Sequence, residues 1–496
     1  MTLSKTAGLR GASLSLLAAL VFLSPPAKAA DVAPSPEGLE KVTTFLQGLL
    51  GAGNVGPSAP VSVTQEADHY AIHVDLPAAF AGLKDLDFGY DSGELNYSLV
   101  EQDDGLWKVV QNETVALSYH MKDLKTGGLV RSAMTMEGLK YEALVDTALG
   151  WLKSGAASAD KTAVDAGGPG LSEKFDFGAL KATFNSDKDD KDFVSTTVEE
   201  TIANVAFDVS AQSVQPQAPS IAVHGKSDEA TASVGLGGFK PNSVLDLWRL
   251  FVANPGREPL AEHEDELKTG LVDLISGPLN FSESVGMRTF ALSLAIGDVT
   301  LANFKAGFAA KADGGNSAFE EHFAADGLTL PANVVPAAFA PIVPTSFDIG
   351  FKVSGMDLTA AAKQAIGDME LKGDGPIFSD GEGGVVGAKL IGPDPIVLEI
   401  PPSHVLGPKL DLTLEGKGQY ADGVPTGAAT ITIRGFDATI DVLKGLPGFD
   451  AQALPAIAMA KGLAKTGPDG ALIWVIELGP DGTPKVNGLP LPKMPG

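Results

Sequence analysis

An alternation of apolar and polar residues with a period of two runs through most of this chain. It constrains the fold more than any other feature. Val115, Leu117, Tyr119 and Met121 are separated by Ala116, Ser118 and His120. The pattern returns at Val205, Phe207 and Val209, at Leu292, Leu294 and Ile296, and at Phe347, Ile349, Phe351 and Val353. It returns again at Leu410, Leu412 and Leu414 and at Ile431 and Ile433. Successive strand side chains point to opposite faces, so each segment predicts a strand with one dry face and one wet face. Such strands belong to antiparallel sheets, whereas a doubly wound nucleotide-binding sheet needs continuously apolar strands. The expected fold class is α+β and sheet-rich: twisted, mainly antiparallel sheets with a few amphipathic helices packed on one face.

Five segments predict helices. Leu39, Val42, Phe45, Leu46 and Leu49 form one apolar stripe, and Leu144, Val145, Ala148, Leu149 and Leu152 form a second. A third helix is expected over 243–252, stopping before Asn254-Pro255-Gly256. A fourth carries Leu260, Leu267, Leu271 and Leu274, with its polar face in 262–266, and a short fifth surrounds 319–324. A glycine followed by a large apolar residue and Lys or Asp recurs at Gly138, Gly238, Gly355 and Gly435. Each predicts a positive-φ corner between strand and helix, with Asp357 and Asp437 as caps. An apolar-Asp-apolar echo marks Asp87, Asp176, Asp348 and Asp411 at strand starts.

The small, Gly-rich stretch 154–170 and the Gly- and Pro-rich stretch 374–408 predict linkers, with soft boundaries near 165 and 340. The expected organisation is a signal peptide over 1–29, an N-terminal β-rich lobe with helices over 30–165, a middle β-rich segment with a helical insertion over 166–340, and a C-terminal β-rich lobe over 341–496. A hairpin closes the chain, with its turn at Gly479-Pro480-Asp481-Gly482.

The first segment predicts an address. Lys5 and Arg10 precede the ten-residue apolar run 14–23, and Ala27-Lys28-Ala29 forms a small-x-small cleavage site. Ten residues fall short of the ~20 that a membrane-spanning helix needs. No later stretch reads as a membrane helix, so the expected mature chain is soluble and periplasmic or secreted, without a transmembrane segment. Removing Lys5, Arg10 and Lys28 from 36 basic residues leaves 33 against 62 acidic ones, a formal charge of −29. That field repels nucleic acid and anionic headgroups. The chain has no cysteine, which excludes disulfides, thiolate metal sites and cysteine nucleophiles.

The tail Asp469-Gly470-Ala471-Leu472-Ile473-Trp474, with Asp481-Gly482 and Val486-Asn487-Gly488-Leu489-Pro490-Leu491, is the most distinctive stretch. With the signal and the glycine corners, it resembles exported bacterial proteins of the domain of unknown function 2125 family. The resemblance covers about the last third of the chain. It implies a periplasmic, sheet-rich protein and supplies no catalytic residues.

Chemistry-bearing motifs are sparse. Gly51-Ala52-Gly53-Asn54-Val55-Gly56 matches G-x-G-x-x-G, but a dinucleotide loop needs a preceding strand and a following helix, and here a helix precedes and Pro57 follows. His69 and His73 share a strand face near Glu66 and Asp75, which reads as exposed strand histidines before it reads as a metal site. Residues 262–266 read as a solvated helix face. The acidic run from Asn185 to Asp192 lacks the EF-hand glycine and its bidentate Glu, and reads as a hairpin tip. No catalytic, cofactor-binding or metal residue is assigned, and no cofactor is expected. The first functional expectation is a non-enzymatic structural or partner-binding component of the cell envelope. The alternatives are binding or carriage of a lipid-like amphiphile in a sheet-lined groove, and a hydrolase. The expected partners are an envelope protein or an amphiphilic small molecule, with no nucleic acid.

Overall fold

The alternating segments form strands that pair with their sequence neighbours. A computed structural model describes residues 29–491 except 82–87, 123–127, 148–149, 169, 213–220, 255, 332, 336, 374–376, 378–381, 393 and 446–451. The expected signal peptide lies outside the described residues but for Ala29. The protein is sheet-rich, 55% strand against 23% helix, and its large sheet is antiparallel. Contacts group the chain into two compact units. Unit 1 comprises Met1–His224, Glu229–Gly277 and Met369–Phe378, and unit 2 comprises Gly225–Asp228, Pro278–Asp368 and Ser379–Gly496.

Unit 1 begins with helix α1 (Pro36–Leu50), where the Ser35 hydroxyl accepts a hydrogen bond from Gly38 N at 3.0 Å and Pro36 fits the first turn. Strands β1 (Val61–Gln65) and β2 (Tyr70–Asp75), the short helix α2 (Leu76–Ala79), and strands β3 (Phe88–Glu101), β4 (Trp107–Lys122) and β5 (Leu129–Asp146) follow. These five strands pair in order. Strands β6 (Trp151–Ala159) and β7 (Lys161–Gly168) then share one edge of β5. Strands β8 (Leu171–Phe177) and β9 (Leu180–Lys188) pair with β7 and β6, and β10 (Val194–Ala211) spans both. After β11 (Ile221–Phe239) come α3 (Pro241–Ala253), α4 (Arg257–Glu262) and α5 (Glu264–Leu274).

In unit 2, β12 (Leu279–Leu294), β13 (Gly297–Ala312), β14 (Ser317–Asp326) and β15 (Ser346–Met356) form a meander. Helices α6 (Leu358–Asp368) and α7 (Glu382–Leu390) intervene before β16 (Ile396–Leu406), β17 (Asp411–Ala421) and β18 (Val424–Arg434). Helices α8 (Phe436–Lys444) and α9 (Ala453–Leu463) lead to β19 (Lys465–Thr466), β20 (Leu472–Leu478), β21 (Pro484–Val486) and β22 (Leu489–Pro490). Strands β15 to β18 pair in order, and β18 pairs with β20.

Several sequence expectations need correction. The stripe 144–152 ends β5 and starts β6, with a turn at Gly150 (φ +68°) between them. The segment 319–324 lies in β14. In both, apolar residues four apart satisfy the strand and helix periods equally, and cross-strand ladders decide for strand. The stretch 154–170 is no linker: Ala157 and Ala159 are buried, and Ala157 packs with Val109, Tyr141 and Ala182. Of 374–408, residues 382–390 form α7 and 396–406 form β16, with Pro401 and Pro402 at a register shift where a strand tolerates proline. The fourth helix is two, broken at His263, although its leucine stripe packs on Leu247, Leu250, Met369 and Leu371 as a single stripe would. Position 165 lies within β7, and position 340 lies between β14 and β15.

Gly238, Gly355 and Gly435 do turn strands into helices with φ of 75°, 82° and 75°. Gly138 instead sits inside β5. Asp357 caps α6 by accepting from Ala360 N at 2.8 Å. Asp437 does not cap: its carboxylate takes Lys461 of α9 at 2.6 and 2.8 Å.

Candidate binding surface

The ladders of unit 2 align one residue from each of eight strands into an unbroken apolar row. Phe281 pairs with Ala310, Ala310 with Phe319, and Phe319 with Val353. Val353 pairs with Leu398, Leu398 with Gly418, Gly418 with Gly427, and Gly427 with Leu478. Directly paired residues share a sheet face, so this row crosses β12 to β18 and β20 on one side. Phe308 and Phe351 stand on the same face two residues from the row. The rings of Phe281, Phe308, Phe319 and Phe351 follow one another at 5.7, 5.0 and 5.7 Å. Glu283 and Glu321, paired through Phe308, are the acidic interruptions beside it.

Midway along β17 and β18, between the Leu414–Ile431 pair and the Tyr420–Pro425 pair, the face has almost no side chains. Gly416 opposes Ala429, and Gly418 opposes Gly427. A β-carbon on Gly427 would lie 2.7 Å from the Gly418 Cα, so the two strands meet too closely for larger residues. Leu398 of β16 flanks this bare strip on one side, and Ile476 and Leu478 of β20 flank it on the other. Three strand steps of ~4.8 Å set the walls about 14 Å apart. The result is a trough with a glycine and alanine floor and aliphatic walls.

Water reaches this face. Phe323 is 41% exposed, Ile349 43%, Leu398 47% and Ile476 37%. The other face is polar: Glu320 faces Lys352 at 3.8 Å, Glu399 faces Lys417 at 3.7 Å, and His322 Nε2 lies 2.6 Å from Asp348 Oδ1. These charged pairs thus stand opposite the apolar row, while Glu283 and Glu321 are charges on the apolar side itself.

No family model, curated protein or solved structure matches the chain.

The residues singled out by sequence lie elsewhere. In unit 1, His73 Nδ1 bonds Asn96 Oδ1 at 2.9 Å, His69 meets its neighbour Asp68, and Asp75 caps α2 through Ala78 N at 3.1 Å. Glu66 accepts from Thr64 at 3.4 Å. The structure does not bring these four together around a shared centre. Residues 185–192 end β9 and turn toward β10, where Asp189 accepts from Lys191 N and Phe193 N at 2.8 and 2.9 Å. Glu264 is held below the usual carboxylate range first by its hydrogen bond to Lys268 and then by Leu371 N. The segment 51–56 follows α1, and Gly51 (φ +87°) ends that helix. Among the described residues, no three His, Asp or Glu side chains gather as metal ligands, and no helix is long and apolar enough to cross a membrane. Sequence reasoning missed the trough. Its signal was the placement of Gly416, Gly418 and Gly427 at positions where the alternation calls for apolar side chains.

Proposed function

We propose that this is an exported, non-enzymatic protein of the cell envelope that binds or carries a lipid-like amphiphile on the apolar face of unit 2. The observation that carries the reading is the eight-strand apolar row with its open glycine-floored trough. Exposed apolar surface of this continuity is uncommon on a monomer and marks a binding surface. Covering Phe323, Ile349, Leu398 and Ile476 would contribute roughly 0.6–1.4 kcal/mol each, since full burial of such side chains is worth ~1.5–3 kcal/mol and they are already more than half covered. An acyl chain needs no hydrogen-bonding partner along its length, and the trough floor offers few side-chain groups to one. In this reading the amphipathic helices pack on the dry face of twisted sheets and leave the trough open. Export rests on the signal segment, and it agrees with the resemblance to exported proteins of unknown function.

A second reading is a structural or partner-binding envelope component. The same exposed face favours it, because apolar patches also receive other proteins. One experiment separates them. A native mass spectrum of mature protein purified from its own envelope should carry lipid-sized adducts, and Ile349→Asp with Leu398→Asp should remove those held on this face. A spectrum of bare protein, together with in-cell crosslinks from this face to another protein, would establish the second reading.

A further inference from the structure

Unit 1 holds an apolar space of its own. A cleft of about 330 Å³ lies between α1 and the sheet, walled by Phe45, Leu46 and Leu50 on the helix side and by Ile72, Leu99 and Val109 on the strand side. Its volume is at the lower end of the ~300–1,000 Å³ typical of small-molecule sites. Three aromatic hydrogen-bond donors also line it: Trp107, Tyr97 and Tyr141.

None of these three donates or accepts a hydrogen bond with a described residue, although Trp107 is 4% exposed and Tyr141 8%. The rest of the molecule shows how unusual that is. The other three indoles all donate: Trp151 to Thr196 Oγ1 at 3.1 Å, Trp248 to Leu49 O at 2.7 Å, and Trp474 to Ala460 O at 2.7 Å. Tyr70, a neighbour in the same core, accepts from Ser35 N at 2.7 Å and donates to Ser35 O at 3.1 Å. Buried Tyr and Trp ordinarily find partners within the protein. Among the described residues the one enclosed side-chain polar atom without a partner is Thr162 Oγ1, so these three donors are reached by solvent and remain available to a ligand in the cleft. Burial pushes Tyr97 up to about 12, with Glu113 adding to the effect, and burial also raises Tyr141. Both phenols therefore keep their protons and remain donors at neutral pH. The cleft offers donors and apolar walls, so a complementary ligand brings acceptor oxygens and a hydrocarbon body.

Charge narrows the class. The cation on the lining is Lys41, and it already stands 3.4 Å from both Glu37 and Glu101. The local balance is one positive against two negative charges, which disfavours an anionic headgroup. We propose that this cleft is a site for a single-chain neutral amphiphile. Its acyl chain lies against Phe45, Leu46 and Leu50, and its ester or hydroxyl oxygens accept from Trp107, Tyr97 and Tyr141. No covalent step is involved.

Titration calorimetry on the mature full-length protein tests this, with monodecanoylglycerol as the neutral probe and decanoate as the anionic one. The neutral probe should bind at one site, at least tenfold tighter than decanoate. The double variant Tyr97→Phe, Tyr141→Phe keeps both rings and should weaken the neutral probe at least tenfold. Leu46→Trp, which fills the cleft, should abolish binding while circular dichroism stays unchanged. Ile349→Asp with Leu398→Asp in unit 2 should leave this binding intact, so failure of one site is distinguishable from failure of the other. Wild-type protein that does not bind the neutral probe, equal affinity for the two probes, or a double variant that binds like wild type would each overturn the proposal.

Discussion

The two units use the same strand chemistry and differ in what covers it. In unit 1 buried residues form four clusters, including Val61, Tyr70 and Trp107 beneath α1, Leu117, Met136 and Leu139 along β4 and β5, and Leu247, Leu250 and Leu267 among the helices. Among the described residues of unit 2 a single cluster, around Leu472, Trp474 and Val486, lies at the C-terminal end of the sheet. The strands from β12 to β16 carry eight phenylalanines, yet their apolar face is only partly covered. An amphipathic strand needs a dry neighbour for its apolar face, and that neighbour need not be part of the same chain. Unit 1 supplies it internally, and the trough in unit 2 leaves its apolar face open to solvent.

The widest gap should appear in core truncations. Leu139 is 1% exposed, so Leu139→Ala should destabilise unit 1 by ~2–5 kcal/mol, whereas Phe323→Ala should change unit 2 by less than ~1 kcal/mol. Denaturant midpoints measure both. Trp474 is the tryptophan of unit 2 while Trp107, Trp151 and Trp248 lie in unit 1, so indole fluorescence of suitable Phe variants can assign each transition. Equal losses would erase the contrast between the units.

If unit 2 relies less on a core, it relies more on its corners. A β-carbon on Gly435 would collide with Lys409 O, and one on Gly355 with Pro395 O. Both glycines also hold positive φ, so Gly435→Val and Gly355→Val should each cost more than ~1 kcal/mol in the Trp474 transition. An unshifted midpoint would show that these corners are ordinary loops.

Alkaline pH should act on unit 1 first. Five of the six tyrosines lie there, and Tyr97 is raised to about 12 from an ordinary value near 10. A phenol whose folded pKa exceeds its unfolded one leaves stability intact below pH 10. It withdraws stability as pH rises from 10 through 12, because the unfolded chain releases the proton first. The loss should reach about 2 kcal/mol for unit 1, with phenolate absorbance appearing late and together with unfolding. A Trp474 transition that falls first over this range would reverse the assignment.

The smallest effects separate two aspartates of the same motif. Asp357→Ala should lose a helix cap worth ~1 kcal/mol. Asp437→Ala breaks an exposed pair with Lys461 and should cost ~0.5 kcal/mol or less, a loss that salt removes.

Much of this was legible in the sequence. The period of two identified β4, β10, β12, β15, β17 and β18 directly, because one wet face leaves alternating residues polar. The glycine corners at Gly238, Gly355 and Gly435 followed from backbone freedom alone. The failures have one physical root: residues four apart coincide on a strand and on a helix, so 144–152 and 319–324 fit both periods. The Ala- and Gly-rich strand β6 resembled a linker because its small residues pack under Tyr141, a partner that no local pattern shows. The trough was hidden for a related reason. Gly418 and Gly427 are uninformative singly, and only the register that pairs them makes a floor.

The most direct test places a photo-crosslinking side chain at position 349 or 398 of the exported protein, with position 417 on the polar face as the control. Irradiation in the envelope should yield lipid-sized mass adducts at 349 and 398 and none at 417. Adducts at 417 equal to those on the apolar face, or no lipid adduct at either apolar position, would contradict a trough that takes an amphiphile.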